Sequence, residues 1–300
     1  MKRFTKDENN RIDSFWQENK IVGQVQQGVP FIMEGPCLFG NPEELKLVTN
    51  AWNEENRHLK IPNMIGPIFV EGAEPGSTLE VKILDVKLTS NKGYMSAIPG
   101  VGCFGPKIKE PEYKIIPQDQ NYIYFNDDIR FRSRPMLGKI GTTPTGSKIP
   151  SAISGPHGGN MDNKEMCKGA TIYLPIYIKG ALLCMGDIHA SQGDGELVSG
   201  VETEADVTLV ANVRDDFPIS YPFLENEKEI MTIANGESIE DAAHIALDEM
   251  VKILVHRLKI SFIDAAFLLS AAGDVRINQL LDPLFSVRVC MARNIVPGLI

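Results

Sequence analysis

The sequence predicts a mainly β protein. A β-sandwich or barrel-like main domain covers residues 1–215, and a smaller α/β unit covers residues 216–300 and packs on it. Three observations carry this expectation. Short apolar alternations, broken by Gly, Pro and Asn, fill most of residues 1–215. Helical periodicity behind serine caps is confined to residues 216–300. The composition, 43% hydrophobic and 23% charged, is that of a globular chain with enough apolar side chains for a sizeable core.

Taken in order, Gly66–Gly72 reads as a short strand, and Ala73-Glu74-Pro75-Gly76 as the turn that ends it. Leu79, Val81 and Ile83 then mark one face of a strand, while Leu84, Val86 and Leu88 continue in the opposite phase. A phase change of that kind predicts a β-bulge or a second buried face. Tyr122–Phe125 and Ile129–Arg132, joined by Asn126-Asp127-Asp128, read as a hairpin. Arg130, Arg132 and Arg134 alternate and are expected on a solvated face rather than as an anion site. Thr171–Ile178, Lys179-Gly180 and Ala181–Met185 form the clearest hairpin pattern, with Pro175 keeping the first arm at an edge or bulge. The return arm delivers Asp187 and His189, which share a face if the strand persists. Glu204–Val213 reads as a further strand.

The C-terminal unit begins with Ser238-Ile239-Glu240-Asp241, a serine cap with acids in the first turn. Ile239, Ala242, Ala243, Ala246, Met250, Ile253 and Leu254 then form one apolar stripe. Ser261 opens a second helix that ends at Gly273, and Leu284–Met291 is a candidate final strand. The apolar tail 295–300 points either to docking, as in a homo-oligomer such as a dimer, or to packing within the chain.

Net charge is −9, with no basic tract and no apolar run of membrane-spanning length. Nucleic acid and membrane are therefore not the expected partners, and a cytoplasmic enzyme with a small substrate is the expectation. The N-terminus lacks the apolar run of a signal peptide. The five cysteines show no C-x-x-C pair, so neither a disulfide framework nor a cysteine zinc site is signalled. Cys184 reads as an inert buried thiol. Cys103 sits in a glycine loop, but without a histidine nearby in sequence to activate it.

Chemistry concentrates in two glycine-rich stretches. Gly155–Asp162 holds His157, Gly158, Gly159, Asn160 and Asp162, and Gly186–Glu196 holds Asp187, His189, Gln192, Asp194 and Glu196. Of the five histidines, His157 and His189 lie here, while His244 and His256 fall in the expected helix and His58 in a polar stretch. Imidazole and carboxylate are metal ligands and proton carriers, and glycine lets the backbone approach them closely. A G-x-S-x-G elbow, an H-E-x-x-H helix, a P-loop and a dinucleotide fingerprint are all absent from the sequence. Metal-bound water is then the economical nucleophile.

These residues carry a resemblance. Gly66–Gly76, Pro135-Met136-Leu137-Gly138-Lys139-Ile140-Gly141, Gly158–Asp162, Gly186–Glu196 and Ser270–Gln279 together resemble the acetamidase/formamidase family of metal-dependent amidohydrolases. The resemblance implies a β-rich main domain with a smaller α/β unit, and hydrolysis of a short amide to carboxylate and ammonia. Residues 1–65 match poorly, with only Glu34 standing where the family is expected to carry acids.

The expected site draws on both glycine-rich stretches. Asp187 and His189 are the preferred ligands of a divalent metal, with His157 or Asp162 completing the sphere. Zinc is the first expectation, and calcium the alternative if oxygen ligands dominate. Glu196 is the expected general base and acid, with Asp194 able to exchange roles with it. Asn160, Gln192 and the Gly158-Gly159 amides would hold the substrate carbonyl oxygen. The rival readings are a cupin-like metal oxygenase, disfavoured by the missing H-x-H pair, and a non-catalytic metal- or sugar-binding β-domain.

Overall fold

The computed structural model describes residues 1–37, 62–281 and 284–299. His58 and Ile300 lie outside the described residues. Two large sheets dominate. The nine-stranded sheet runs, in spatial order, Lys2–Phe4, Phe31–Gly35, Ala205–Arg214, Thr78–Leu88, Thr171–Pro175, Phe223–Glu225, Glu229–Gly236, Phe285–Ala292 and Gly273–Gln279. It passes unbroken from the N-terminal strands to the C-terminal ones. The ten-stranded sheet centres on Leu183–His189, flanked by Met136–Gly141 on one side and by Met64–Val70 and Glu202–Thr203 on the other.

One core lies between the sheets. Leu79, Val81, Ile172, Leu174, Val207 and Leu209 of the first sheet share it with Ile65, Ile68, Leu137, Ile140 and Ile188 of the second. This is a β-sandwich arrangement, held by side chains alternating inward along each strand. A second core lies over the outer face of the C-terminal strands, where Tyr173, Phe223, Ile230, Val289 and Met291 meet the helices. Thr171–Pro175 is thus buried on both faces, which accounts for its unbroken apolar run.

The phase change in Thr78–Leu88 is a bulge. Thr208 pairs with Asp85 and Leu209 with Ile83, so Leu84 is the extra residue, and it is 43% exposed. The Tyr122–Tyr124 and Arg130–Arg132 hairpin forms in the expected register. Arg130 and Arg132 lie over the Tyr122 ring at 5.0 and 4.6 Å, and Arg134 pairs with Glu165.

The expected hairpin across Lys179-Gly180 does not form. Its arms lie in different sheets: Thr171–Pro175 pairs with Thr78–Leu88 and Phe223–Glu225, and Leu183–His189 with Met136–Gly141 and Met64–Val70. Each arm already has strands of its own sheet on both edges, so neither keeps a free edge for the other. Residues 176–182 instead cross between the sheets, pinned by Thr142 Oγ1 to Pro175 O (2.6 Å) and Thr143 Oγ1 to Leu182 O (2.9 Å).

Two α-helices occur among the described residues, Ile239–Leu258 and Phe262–Ala272. Ser238 and Ser261 cap them, each accepting a backbone N–H at 3.0 Å, from Asp241 and Asp264. Ala242, Ala246, Met250, Ile253 and Leu254 are buried as the stripe predicts, but Ile239, at the first turn, is 39% exposed. Gly273 ends the second helix and opens Gly273–Gln279, a strand the sequence pattern did not announce. Val296 and Leu299 of the tail pack into the second core. Among the described residues no helix is long and apolar enough to cross a membrane.

Candidate active site

Three neighbouring strands bring the site together. Leu183–His189 is the central one and supplies Asp187 and His189. On one side Met136–Gly141 supplies Lys139, set opposite Gly186, and on the other Glu202 pairs directly with His189. The loop after Gly158–Asn160 adds Asp162, and the loop after His189 adds Glu196. All six side chains are buried.

Two overlapping donor groups result. Asp162, His189 and Glu196 can each present an atom such that the three lie within 4.8 Å of one another, and so can Asp187, His189 and Glu202. His189 Nε2 meets Glu202 Oε1 at 2.8 Å, while Nδ1 has no protein partner. Asp187 Oδ2 lies 3.1 Å from Lys139 Nζ, while Oδ1 is unpartnered. Asp162 Oδ1 and Glu196 Oε2 are unpartnered as well, and Glu196 Oε1 accepts the Gly200 amide at 3.3 Å.

The backbone is bent to place these groups. Asp162, Asp187 and Glu196 adopt left-handed φ values of 45°, 58° and 37°. Such residues cost about 1–3 kcal/mol each and persist where the surroundings hold them. Asp187 therefore does not follow simple strand alternation, yet its carboxylate still shares a group with His189. Gly138 makes the room: a Cβ there would stand 2.5 Å from Asp162 Oδ1, 3.0 Å from Asp187 O and 3.1 Å from Asp187 Oδ2.

Burial and charge set the protonation. Burial and then Asp187 push Asp162 up to about 6. Burial and then Asp162 push Glu196 well above the usual carboxylate range. Burial raises Glu202 to about 7, against the pull of His189. For Asp187 burial acts upward most strongly of any single cause, but Lys139, His189 and Glu202 together outweigh it and the net direction is down. Burial would lower His189, yet Glu202 and Asp187 carry it well above its ordinary value. The site thus has a proton-holding carboxyl, Glu196, beside an ionised one, Asp187.

Two expected site residues lie apart. His157 belongs to neither donor group: its ring packs edge-on against Phe15 at 4.7 Å, and burial alone lowers it to about 4. Asp194 turns the other way, toward Arg288 and Lys164 at 2.8 Å each. It serves Arg288, which is fully buried and also donates to Asn278 Oδ1 at 2.7 Å. Gly158 and Gly159 form a strand flanked on both edges, with positive φ and with Ile140 O and Ile153 O where a Cβ would fall. Sheet geometry already accounts for both glycines. Asn160 is 8% exposed with Oδ1 unpartnered, and Gln192 Nε2 donates to Asp162 O at 2.7 Å.

Lys139 and Glu202 received no role from the sequence. Each is one polar residue on a strand outside the glycine loops, so no local spacing marks it. Only strand order brings them to His189.

The donor chemistry fits a divalent cation. Carboxylate and imidazole side chains, each with an unpartnered atom, come together in a buried space, where unmatched polar atoms are otherwise costly.

Comparison with known proteins gives a consistent result. Residues 147–239 match the model of the Acetamidase/Formamidase family. The chain is 56% identical to a formamidase of Methylophilus methylotrophus over a match covering 64% of this chain and 60% of the relative. The chain spans less than two thirds of the length of the curated relatives it matches. Among solved structures, an acetamidase from Bacillus halodurans superimposes with a TM-score of 0.90 at 35% identity, covering 99% of both chains. A predicted acetamidase/formamidase from the thermophile Thermoanaerobacter tengcongensis gives 0.90 at 31%, covering 98% of this chain and 96% of the other.

Proposed function

Because the chain belongs to the acetamidase/formamidase family, we propose that it hydrolyses a short linear amide, such as formamide or acetamide, to the carboxylate and ammonia. The carrying observation is the buried excess of acid: among the described residues, Asp162, Asp187, Glu196 and Glu202 cluster with two cationic partners, Lys139 at Asp187 and His189 at Glu202. Such a site must take up protons, a divalent cation or both.

Asp162 and His189 would hold the cation, with Glu196 the third member of their group. Asp187 keeps only Oδ1 for it, since Oδ2 is paired with Lys139. Zinc is the proposed metal and calcium its alternative, and when bound it supplies a water acidified toward neutral pH and a Lewis acid for the amide carbonyl. Glu202, accepting from Nε2–H, would fix the ring and leave Nδ1 as the nitrogen free to take the cation. Glu196 in its ionised form would take a proton from the attacking water, and its buried surroundings, which favour the protonated form, suit it to return that proton to the departing amine. Gln192 fixes the Asp162 loop through its carbonyl. The Asn160 amide supplies a donor for the oxygen that gains charge, a role worth about a hundred- to a thousand-fold in rate.

A cytoplasmic homo-oligomer, a dimer, is part of the proposal. Phe262, Ile263 and Phe267, at 62, 54 and 69% exposure, give it an apolar surface. Light scattering tests it.

The direct test of the activity is ammonia release from formamide and acetamide before chelation, after it, and after zinc or calcium is restored. Turnover lost on chelation and regained with metal is expected. Turnover indifferent to chelation removes the metal from the proposal. No ammonia from either amide removes the amidase reading.

A further inference from the structure

The two donor groups share His189, and their proximity is what a two-metal site would need. The second group is different in one respect. Lys139 enters it from the adjacent strand, 5% exposed, with its ammonium 3.1 Å from Asp187 Oδ2. We propose that Lys139 is a built-in cation that takes the place of a second metal, so that the site binds one ion per chain, at Asp162 and His189 in the group that Lys139 does not enter. The proposal rests on the metal reading above and specifies its stoichiometry.

The contacts already made in the second group support this. In the Asp187–His189–Glu202 group two contacts are already made within the protein, Asp187 to Lys139 and His189 Nε2 to Glu202. Each group keeps one unpartnered atom per member, Asp162 Oδ1, His189 Nδ1 and Glu196 Oε2 in the first and Asp187 Oδ1, His189 Nδ1 and Glu202 Oε2 in the second, so the ammonium is what distinguishes them. A cation entering the second group would have to sit beside a buried ammonium, where like charges repel with little solvent to screen them. Lys139 is 5% exposed and lies in a strand paired with Gly186 on one side and Asn160 on the other, which holds its backbone in place. It is a positioning residue. It fixes the Asp187 carboxylate against the left-handed bend of that residue and denies the second group to metal.

Metal stoichiometry, read by mass spectrometry of the dialysed protein after saturation with zinc, tests this without reference to turnover. The native chain should retain one equivalent. Lys139→Ser, which removes the ammonium and opens space, should retain two. Lys139→Met, which removes the charge but fills the space, should stay at one. Two equivalents in the native chain, or one in a folded Lys139→Ser variant, would overturn the proposal. The native result stands alone should the serine variant fail to fold. Zero equivalents in the native chain would instead remove the metal reading itself, a distinguishable failure.

Discussion

Gly138→Ala gives a direct measure of how closely the site must fit. Gly138 lies in the Met136–Gly141 strand with no left-handed φ, so alanine meets no backbone objection there. The added methyl would stand 2.5 Å from Asp162 Oδ1, whereas ordinary contact begins at 3.4 Å. Either the Asp162 carboxylate moves by about 0.9 Å or the strand moves away from Asp187, whose carbonyl is 3.0 Å from the same point. Overpacking of this kind costs about 1–3 kcal/mol, hence a melting temperature lower by roughly 2–10 °C. A displacement near 1 Å in a catalytic group costs on the order of a hundred-fold in rate. The assay is kcat/KM for ammonia release, with Gly193→Ala as control, since a Cβ at Gly193 meets nothing within 4 Å. A Gly138→Ala protein within about threefold of native kcat/KM would refute the placement of Asp162 and Asp187 in the machinery.

The other expectations concern neighbouring residues. Glu196→Gln should lower turnover by about 10²–10⁴-fold while the thermal transition stays within a few degrees; a loss below tenfold assigns the proton to another group. Asp194→Asn should act on stability, because fully buried Arg288 loses its charge partner at a cost of about 3–5 kcal/mol, and a urea titration showing an unchanged midpoint would contradict that. His157, held near 4 by burial against an ordinary 6.5, stays neutral in the folded chain while the unfolded chain takes up a proton. Its contribution is complete above pH 6.5 and is lost as pH falls toward 4, by about 3 kcal/mol in all. His157→Leu should therefore flatten melting temperature against pH in that window and leave metal content unchanged.

Local features were legible in the sequence and assembled ones were not. The serine caps, the bulge at Leu84 and the Tyr122–Arg132 hairpin each depend on a few adjacent residues, so composition and phase were enough to read them. Asp187, His189 and Glu196 were legible because one glycine-rich stretch holds all three. Lys139 and Glu202 reach the same point through strand order, which no single segment encodes. The false hairpin has the same origin: Lys179-Gly180 is a real turn signal, but the partners that separate its arms lie far away in the chain. His157 misled because glycine neighbours are also what a tightly packed strand corner requires, and its ring found Phe15 instead of the acids.

The loop that carries Glu196 is clasped from far downstream. Gly195 N–H donates to Asn278 O at 3.0 Å, Leu280 N–H donates back to Gly195 O at 2.8 Å, and Arg288 grips Asp194. A ribosome that has finished residue 202 has therefore made every acid and base of the pocket without the clamp that shapes it. The loop gains these contacts only when the segment through residue 288 has emerged and closed on it.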